Sequence, residues 1–277
     1  MRRVAGGFVV GGFTDHHVHL QLVDTSLLAE SALGRVVDLG GDPRVLASLE
    51  GTGVEVAFAG AFLTPAGGYP SDRAWAPDRS VREIADADAA ARAVAEMRDA
   101  GAVCIKVADN STAGPVFDDE LFAAIVELAD AAGLPLVVHA EGQGEAERAA
   151  RLGADLLAHA PFSERLSDDE IAVQAASVQW ISTLAIHGGD AYGIAVDNVR
   201  RFHAAGGTVL YGTDMGNGET PVGLNPREIE ALRDAGIDGE DLIRVLAPID
   251  RGRELFIPGD APDPLRARPL MPEDLEA

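Results

Sequence analysis

The chain of 277 residues is short of lysine, of cysteine and of positive charge in general. It holds one lysine, Lys106, against 21 arginines, and one cysteine, Cys104. A single cysteine excludes an internal disulfide and a thiolate zinc cluster. The 22 basic residues face 45 acidic ones, giving a formal charge of −23. Nucleic-acid phosphates and anionic lipid headgroups repel such a chain, so neither partner is expected. No uncharged apolar run approaches the ~18 residues of a membrane span. The start, MRRVAGGFVVGGF, has two arginines and a short apolar stretch broken by glycine. A secretory leader is not expected, because a histidine-rich motif stands where a cleavage site should be. These exclusions leave a cytoplasmic protein with a small-molecule partner as the expectation. The scarcity of lysine beside abundant Arg, Ala and Gly matches a GC-rich genome, but that says nothing about where the one lysine falls.

What the sequence has is a series of eight apolar, β-branched runs. They are 13–20 (ending TDHHVHL), 35–40, 54–60, 103–107, 135–140, 155–160, 179–184 and 208–214. Each is short and shows little polar alternation, as parallel strands covered on both faces do. Helical patterns lie between them, at 43–49, 81–100, 118–132, 145–152, 167–176, 196–205 and 226–235. Five of these stop at a glycine, which suits the left-handed residue closing a helix. Ser167 with Glu170 makes a capping-box pattern, and Pro226 suits a first helical position. Eight strands alternating with helices predict an α/β fold, a (β/α)8 TIM barrel. A doubly wound sheet would need a strand–GxGxxG–helix turn, and the glycines do not supply one. A single barrel domain is expected over 1–256. Residues 257–277, rich in Pro and acids, read as a tail that wraps the surface or is disordered.

The polar residues that interrupt these runs lie at their C-terminal ends. His17 and His19 close the first run, Lys106 lies on the fourth, His139 and His159 close the fifth and sixth, and Asp214 closes the eighth. Side chains two apart on a strand share a face, so His17 and His19 point inward together. The C-terminal rim is where barrel active sites lie. Four imidazoles, one carboxylate and one amine on that rim suit zinc or a neighbouring divalent metal.

With its Asp-x-His-x-His core, GFTDHHVHL resembles the first-strand signature of the amidohydrolase superfamily. The series Lys106, His139, His159 and Asp214 matches its binuclear members, and DLGG (38–41) and YGTDMG (211–216) are similar to imidazolonepropionase- and prolidase-like members. The resemblance spans roughly residues 10 to 245. It implies a metal-dependent hydrolase with two divalent ions, best taken as zinc. His17 and His19 would bind the more buried ion, and His139 and His159 the other. Lys106, carboxylated by carbon dioxide, would bridge the two ions. Asp214 would be a metal ligand and the catalytic proton shuttle. A bridging hydroxide would attack a C–N amide bond in a small peptide-like or cyclic substrate. A homo-oligomer is a further family expectation.

Lys106 must be neutral to react with carbon dioxide, and burial favours that form. Two features depart from the family. Only about a dozen residues precede the motif, so no full β-sandwich side domain is expected. The deaminase-type His-x-x-Glu is absent, because Gly142 stands third after His139. The runner-up is a lactonase or phosphotriesterase-like ester hydrolase. The rival from another class is a catalytically inactive metal-binding barrel.

His16 and His203 read as structural histidines, and Cys104 as a buried structural thiol. Asp15 and Asp38 either support the ligands or satisfy backbone groups. Two long loops are candidate specificity elements. LTPAGGYPSDRAWAP (63–77) carries Tyr69, Arg73 and Trp75, and AIHGGDAYG (185–193) carries His187 and Tyr192. Arg73 either anchors a substrate carboxylate or pairs on the surface with Asp72 or Asp78. Tyr69, His187 or Tyr192 would contact the scissile group.

Overall fold

A computed structural model describes residues 1–248 and 253–275 of the chain. The strands are β1 (Arg2–Val4), β2 (Gly7–Gly11), β3 (Phe13–Val18), β4 (Leu33–Asp38), β5 (Glu55–Phe58), β6 (Phe62–Pro65) and β7 (Val81–Ile84). They continue with β8 (Ile105–Asn110), β9 (Leu136–Glu141), β10 (Leu156–Leu157), β11 (Gln179–Ile181), β12 (Val209–Leu210), β13 (Glu254–Pro258) and β14 (Arg268–Pro269). The α-helices are α1 (Pro43–Leu46), α2 (Ala87–Asp99), α3 (Asp119–Ala132) and α4 (Glu145–Leu152). They are followed by α5 (Asp168–Ser177), α6 (Gly189–Ala204), α7 (Pro226–Asp234) and α8 (Gly239–Leu246).

The architecture is α/β with parallel pairing. One parallel ladder runs β12-β11-β10-β9-β8-β6-β7, and a second runs β3-β4-β5. The expected eight-stranded ring is therefore not one continuous ladder among the described residues. Isolated hydrogen bonds span the two breaks. Val103 N donates to Phe58 O at 2.9 Å, beside Gly60, where the third run splits into β5 and β6. At the other end, His16 N donates to Tyr211 O at 2.9 Å and His19 N to Met215 O at 2.7 Å.

Apolar packing falls into two layers. The larger cluster joins helices to the sheet and includes Val94, Phe122, Ile125, Trp180 and Phe202. Trp180 stacks on Phe202 with ring centroids 3.8 Å apart. A smaller cluster joins Val37, Leu39, Ala57, Ala59, Cys104, Val137, Ala158, Ile181 and Leu210, which come from β4 through to β12. Residues so far apart in strand order meet only if the sheet curls around them. Cys104 belongs to this inner layer, and burial pushes its thiol up to about 12, as fits a structural thiol.

The chain ends pair with each other. Strands β1, β2, β13 and β14 form an antiparallel sheet, in which Phe256 faces Val9 and Leu255 faces Val10. The expected boundary between 256 and 257 falls inside β13, whose Leu255, Phe256 and Ile257 are all buried. The residues from 257 to 275 are attached to the fold through β13 and β14, as the surface-wrapping alternative has it. Among the described residues this side structure is a single four-stranded sheet.

Two helix boundaries also differ. Residues 81–84, read as helix, form β7, because VREI pairs along β6. Helix α2 starts only after Asp86, whose side chain accepts from Ala89 N. Helix α6 starts at Gly189, seven residues before the expected start, since the glycines at 188, 189 and 193 masked its first turns. The capping box at Ser167 and Glu170 is present. Among the described residues no helix is long and apolar enough to cross a membrane.

Candidate metal centre

Local backbone geometry aims each functional side chain. The β3 strand ends at Val18, and His17 and His19 follow its alternation onto one face. The loop after β4 passes close to the site at Gly40. A Cβ there would overlap the Phe62 ring, so only glycine lets this backbone approach. Gly40 O then accepts from His19 Nδ1 at 3.2 Å. Asp38, just before it, accepts from Leu20 N at 2.6 Å and Gly40 N at 2.9 Å, and so ties β3 to this loop. Asp15 binds His17 N and Thr213 N, both at 3.1 Å, and fixes the approach of the YGTD segment. Both aspartates therefore satisfy backbone groups. Asp214 has a left-handed backbone (φ 54), as does Thr183 (φ 42). Such conformations are uncommon outside glycine, above all for a β-branched residue, and cluster at functional sites.

His17, His19, Lys106, His139, His159 and Asp214 all line one cavity of about 220 Å³. His17, His159 and Asp214 form its tightest group, each offering a ligand atom within 4.8 Å of the others. His17 Nε2 and His19 Nε2 both lie 3.2 Å from Asp214 Oδ1. The rings of His139 and His159 meet edge to face at 4.8 Å between centroids.

The hydrogen bonds behind these rings decide what the front can hold. His17 Nδ1 lies 2.8 Å from Ala158 O. A carbonyl only accepts, so the Nδ1 proton is committed there. Burial also pushes the His17 pKa well below its ordinary value, leaving the ring neutral. Its bare Nε2 lone pair then faces a carboxylate oxygen that also has only lone pairs to offer. A cation between them resolves this repulsion, and a backbone carbonyl behind the ring is the usual partner of a metal-binding histidine. His19 has the same arrangement through Gly40 O. Burial opposes its charge, but the hydrogen bond and charge of Asp214 outweigh burial and raise its pKa. Asp214 itself is held well below the carboxylate range: burial pushes it up, and His17, His19 and His159 outweigh that. His159 Nδ1 lies 2.8 Å from Thr183 Oγ1, which sets its ring.

Lys106 is 1% exposed, and its Nζ has no hydrogen-bond partner. A buried ammonium without a partner is costly. Burial accordingly pulls its pKa down to about 7, so a neutral amine is accessible near neutrality. The donor set thus fits divalent metal, and the amine fits a group that has yet to be added to it.

Sequence reasoning missed five lining residues, Phe62, Glu141, Phe162, Ile186 and Asn217. Glu141, two residues beyond His139 and on the same face of β9, sits 3.0 Å from His139 Nε2 and accepts from Asn110 Nδ2 at 2.7 Å. Strand alternation could have found it. Asn217 Nδ2 donates to Asp214 Oδ2 at 2.7 Å. Phe162, on the loop after His159, packs on His187 at 4.1 Å between centroids. Gly142 (φ +120) is where a deaminase-type glutamate would stand, and a Cβ there would collide with Ser111 Oγ.

Of the five expected substrate contacts, Tyr69, Trp75 and His187 line the cavity. Tyr69 stacks on His139 at 5.3 Å, and burial, with the Asp214 and Glu141 charges, pushes its hydroxyl up to about 12. Burial takes His187 down to about 4. Arg73 and Tyr192 are not brought in. Arg73 pairs with Asp72 at 3.2 Å and lies over the outer face of Tyr69, 5.6 Å from its centroid. Tyr192 donates to Asp234 Oδ2 at 2.7 Å and lines a separate surface cleft. His16 is buried, with Nδ1 3.0 Å from Tyr211 O, and plays a structural part.

No family model matches the chain, and no curated protein matches it. Solved structures do. A Xaa-Pro dipeptidase with bound methionine aligns over 92% of this chain and 82% of its own, at 17% identity and TM-score 0.68. The ochratoxinase of A. niger aligns over 94% and 80%, at 15% identity and TM-score 0.71. A dihydroorotase aligns over 92% and 77%, at 17% identity and TM-score 0.66. These neighbours are amidohydrolase-superfamily members, and the chain shares their fold.

Proposed function

We propose that the chain is a metal-dependent hydrolase of the amidohydrolase type, built as an eight-stranded (β/α)8 barrel, that cleaves a C–N amide bond. The observation that carries this reading is the ring itself. Six polar residues carried by five strands or the loops just after them line one cavity, with the bare His17 Nε2 facing a carboxylate and a buried amine lacking a partner. The barrel reading is supported by the inner cluster, which draws side chains from β4 round to β12, and by the hydrogen bonds from β3 back to Tyr211 and Met215. The amide bond is supported by the dipeptidase among the structural neighbours.

His17, His19, His139, His159 and Asp214 would hold two divalent ions, with zinc the best match to imidazole and carboxylate donors. When bound, such ions acidify a water toward pKa ~7 and polarise the scissile group. The neutral Lys106 amine would add to carbon dioxide, forming an N–C bond and releasing a proton, and the resulting anion would join the two halves of the donor set. Asp214 carries the proton step. Its Oδ1 faces the imidazoles while Asn217 holds its Oδ2, so the carboxylate is fixed where it can take a proton from the nucleophile and return it to the leaving nitrogen. Phe62, Tyr69, Trp75 and Phe162 wall the cavity and limit bulk water. On its acidic charge we place the protein in the cytoplasm.

Metal analysis of fresh protein prepared without chelators tests the reading, and fewer than one ion per chain would sink it. Lys106→Arg is the sharper probe, because a guanidinium stays cationic and cannot form a carbamate. Activity should vanish and at least one ion should be lost, whereas a fully metallated and active variant would remove the central claim.

A further inference from the structure

A second cavity opens beside the first. It measures about 200 Å³ and shares His19, Tyr69, Trp75, Asp214 and Asn217 with the reaction chamber. Its own walls are Leu22, Gly216 and Gly218. Asp214 and Asn217 therefore stand at the junction of two compartments. Neither one alone reaches the ~300–1,000 Å³ usual for a small-molecule site, and together they do. A bond cleaved at Asp214 would send one product arm into each.

The walls of both compartments lack a free cation among the described residues. No arginine lines either cavity. Arg73, which lies over the Tyr69 ring, pairs with Asp72 on the surface and lines neither cavity. Lys106 is buried at the base of the chamber, where the proposed metal ligands lie, away from any arm's end. The carboxylate of Glu141 is taken up by His139 and Asn110. What faces an arm is Phe162, Ile186 and His187 on one side and Leu22 with the glycine backbone on the other. A carboxylate against Phe162 and Ile186 would give up hydration with no ion partner, which is unfavourable, and one in the side cavity would lie against the apolar side chains of Leu22 and Trp75 with no cation on the wall.

We infer that this site takes a substrate uncharged on both sides of the scissile bond, with one arm against Phe162 and Ile186 and the other in the side cavity against Leu22, Tyr69 and Trp75. The inference rests on the hydrolase reading only for the identity of the bond; the charge preference belongs to the walls. It separates the chain from enzymes whose substrates end in a free carboxylate, as dipeptides do.

The probes are benzanilide and its two para-carboxylated forms, one on each ring, with phenyl benzoate as the ester counterpart. They are used with the intact metal-loaded protein. Benzanilide should show a kcat/KM at least ten-fold above both carboxylated forms. Equal or better turnover of either carboxylated form overturns the inference and leaves the hydrolase reading standing. If no probe is turned over, calorimetry on the same protein reads binding. Ten-fold tighter binding of the neutral probe then supports the inference while the hydrolase reading fails, and no binding of any probe overturns both. Leu22→Arg places a cation in the side cavity at a partly exposed position that tolerates it. That variant should raise the relative kcat/KM, or the relative affinity, of one carboxylated form at least ten-fold. An unchanged ratio for both overturns the assignment of the side cavity.

Discussion

The inner layer of the sheet and the rim above it are made by the same strands, yet they obey opposite rules. Below, Val37, Ala57, Cys104, Val137, Ile181 and Leu210 pack an apolar plug with no polar group to satisfy. Above it, Lys106 and His139 stand two residues beyond Cys104 and Val137, and with His17 from β3 and Asp214 from the segment after β12 they bring bare lone pairs and an orphaned amine together in a buried place. The lower layer is locally consistent and stabilises the fold. The upper layer is locally inconsistent, and such inconsistency marks functional sites. What separates the two is therefore whether stability and function respond together or apart.

The largest expected effect falls on the rim. Asp214→Asn keeps the shape but removes the proton acceptor, so kcat should fall roughly 10²- to 10⁴-fold. The same change gives His17 Nε2 a donor but removes the charged hydrogen bond between Asp214 and His19, so the melting temperature of the metal-free protein should change little. Thermal denaturation after chelation, set beside steady-state kinetics, reads both. A large fall in melting temperature would mean that Asp214 holds the fold together as well as the site, so that stability and function do not respond apart on the rim.

The next effect falls on the plug and has the opposite profile. Ile181 is 1% exposed and packs within the inner cluster. Ile181→Ala should cost about 2–5 kcal/mol of stability by opening a cavity. Metal content per folded chain should not change. Denaturant unfolding with metal analysis checks this, and a variant that lost metal while remaining folded would show that the two layers are not separable.

The rim was far more legible in the sequence than the framework that presents it. Histidine, lysine and aspartate stand out inside apolar runs, because a buried strand otherwise admits so few polar groups. The period of two then fixed their direction. The partners behind the rings were not legible, since Ala158 O, Gly40 O and Thr183 Oγ1 depend on contacts distant in sequence. Glu141 is legible from its spacing, since it lies two residues beyond His139 and strand alternation puts both on one face. The framework errors have local causes. VREI carries a charged pair that suits a helix surface as well as the strand β7, and the glycines at 188 and 189 hide the start of α6. The pairing of β13 with β2 joins residues some 250 apart, and neither run alone announces the other.

The smallest expected effect concerns the outer wall. Arg73 lies beside the site, and a carboxylate anchor was one of its two readings. Its guanidinium pairs with Asp72 at 3.2 Å with both side chains substantially exposed, and such pairs contribute only ~0–1 kcal/mol. Its contact with Tyr69 is to the ring face, 5.6 Å from the centroid, where a cation adds only about 0.5–1 kcal/mol in water. Arg73→Ala should therefore leave kcat/KM for a neutral amide within about five-fold, the change left when an exposed contact of that size is removed. A loss confined to carboxylated substrates, and larger than ten-fold, would restore Arg73 as an anchor. It would also mean that the loop closes inward on binding, and the rim would then extend onto a segment that in this structure belongs to the surface.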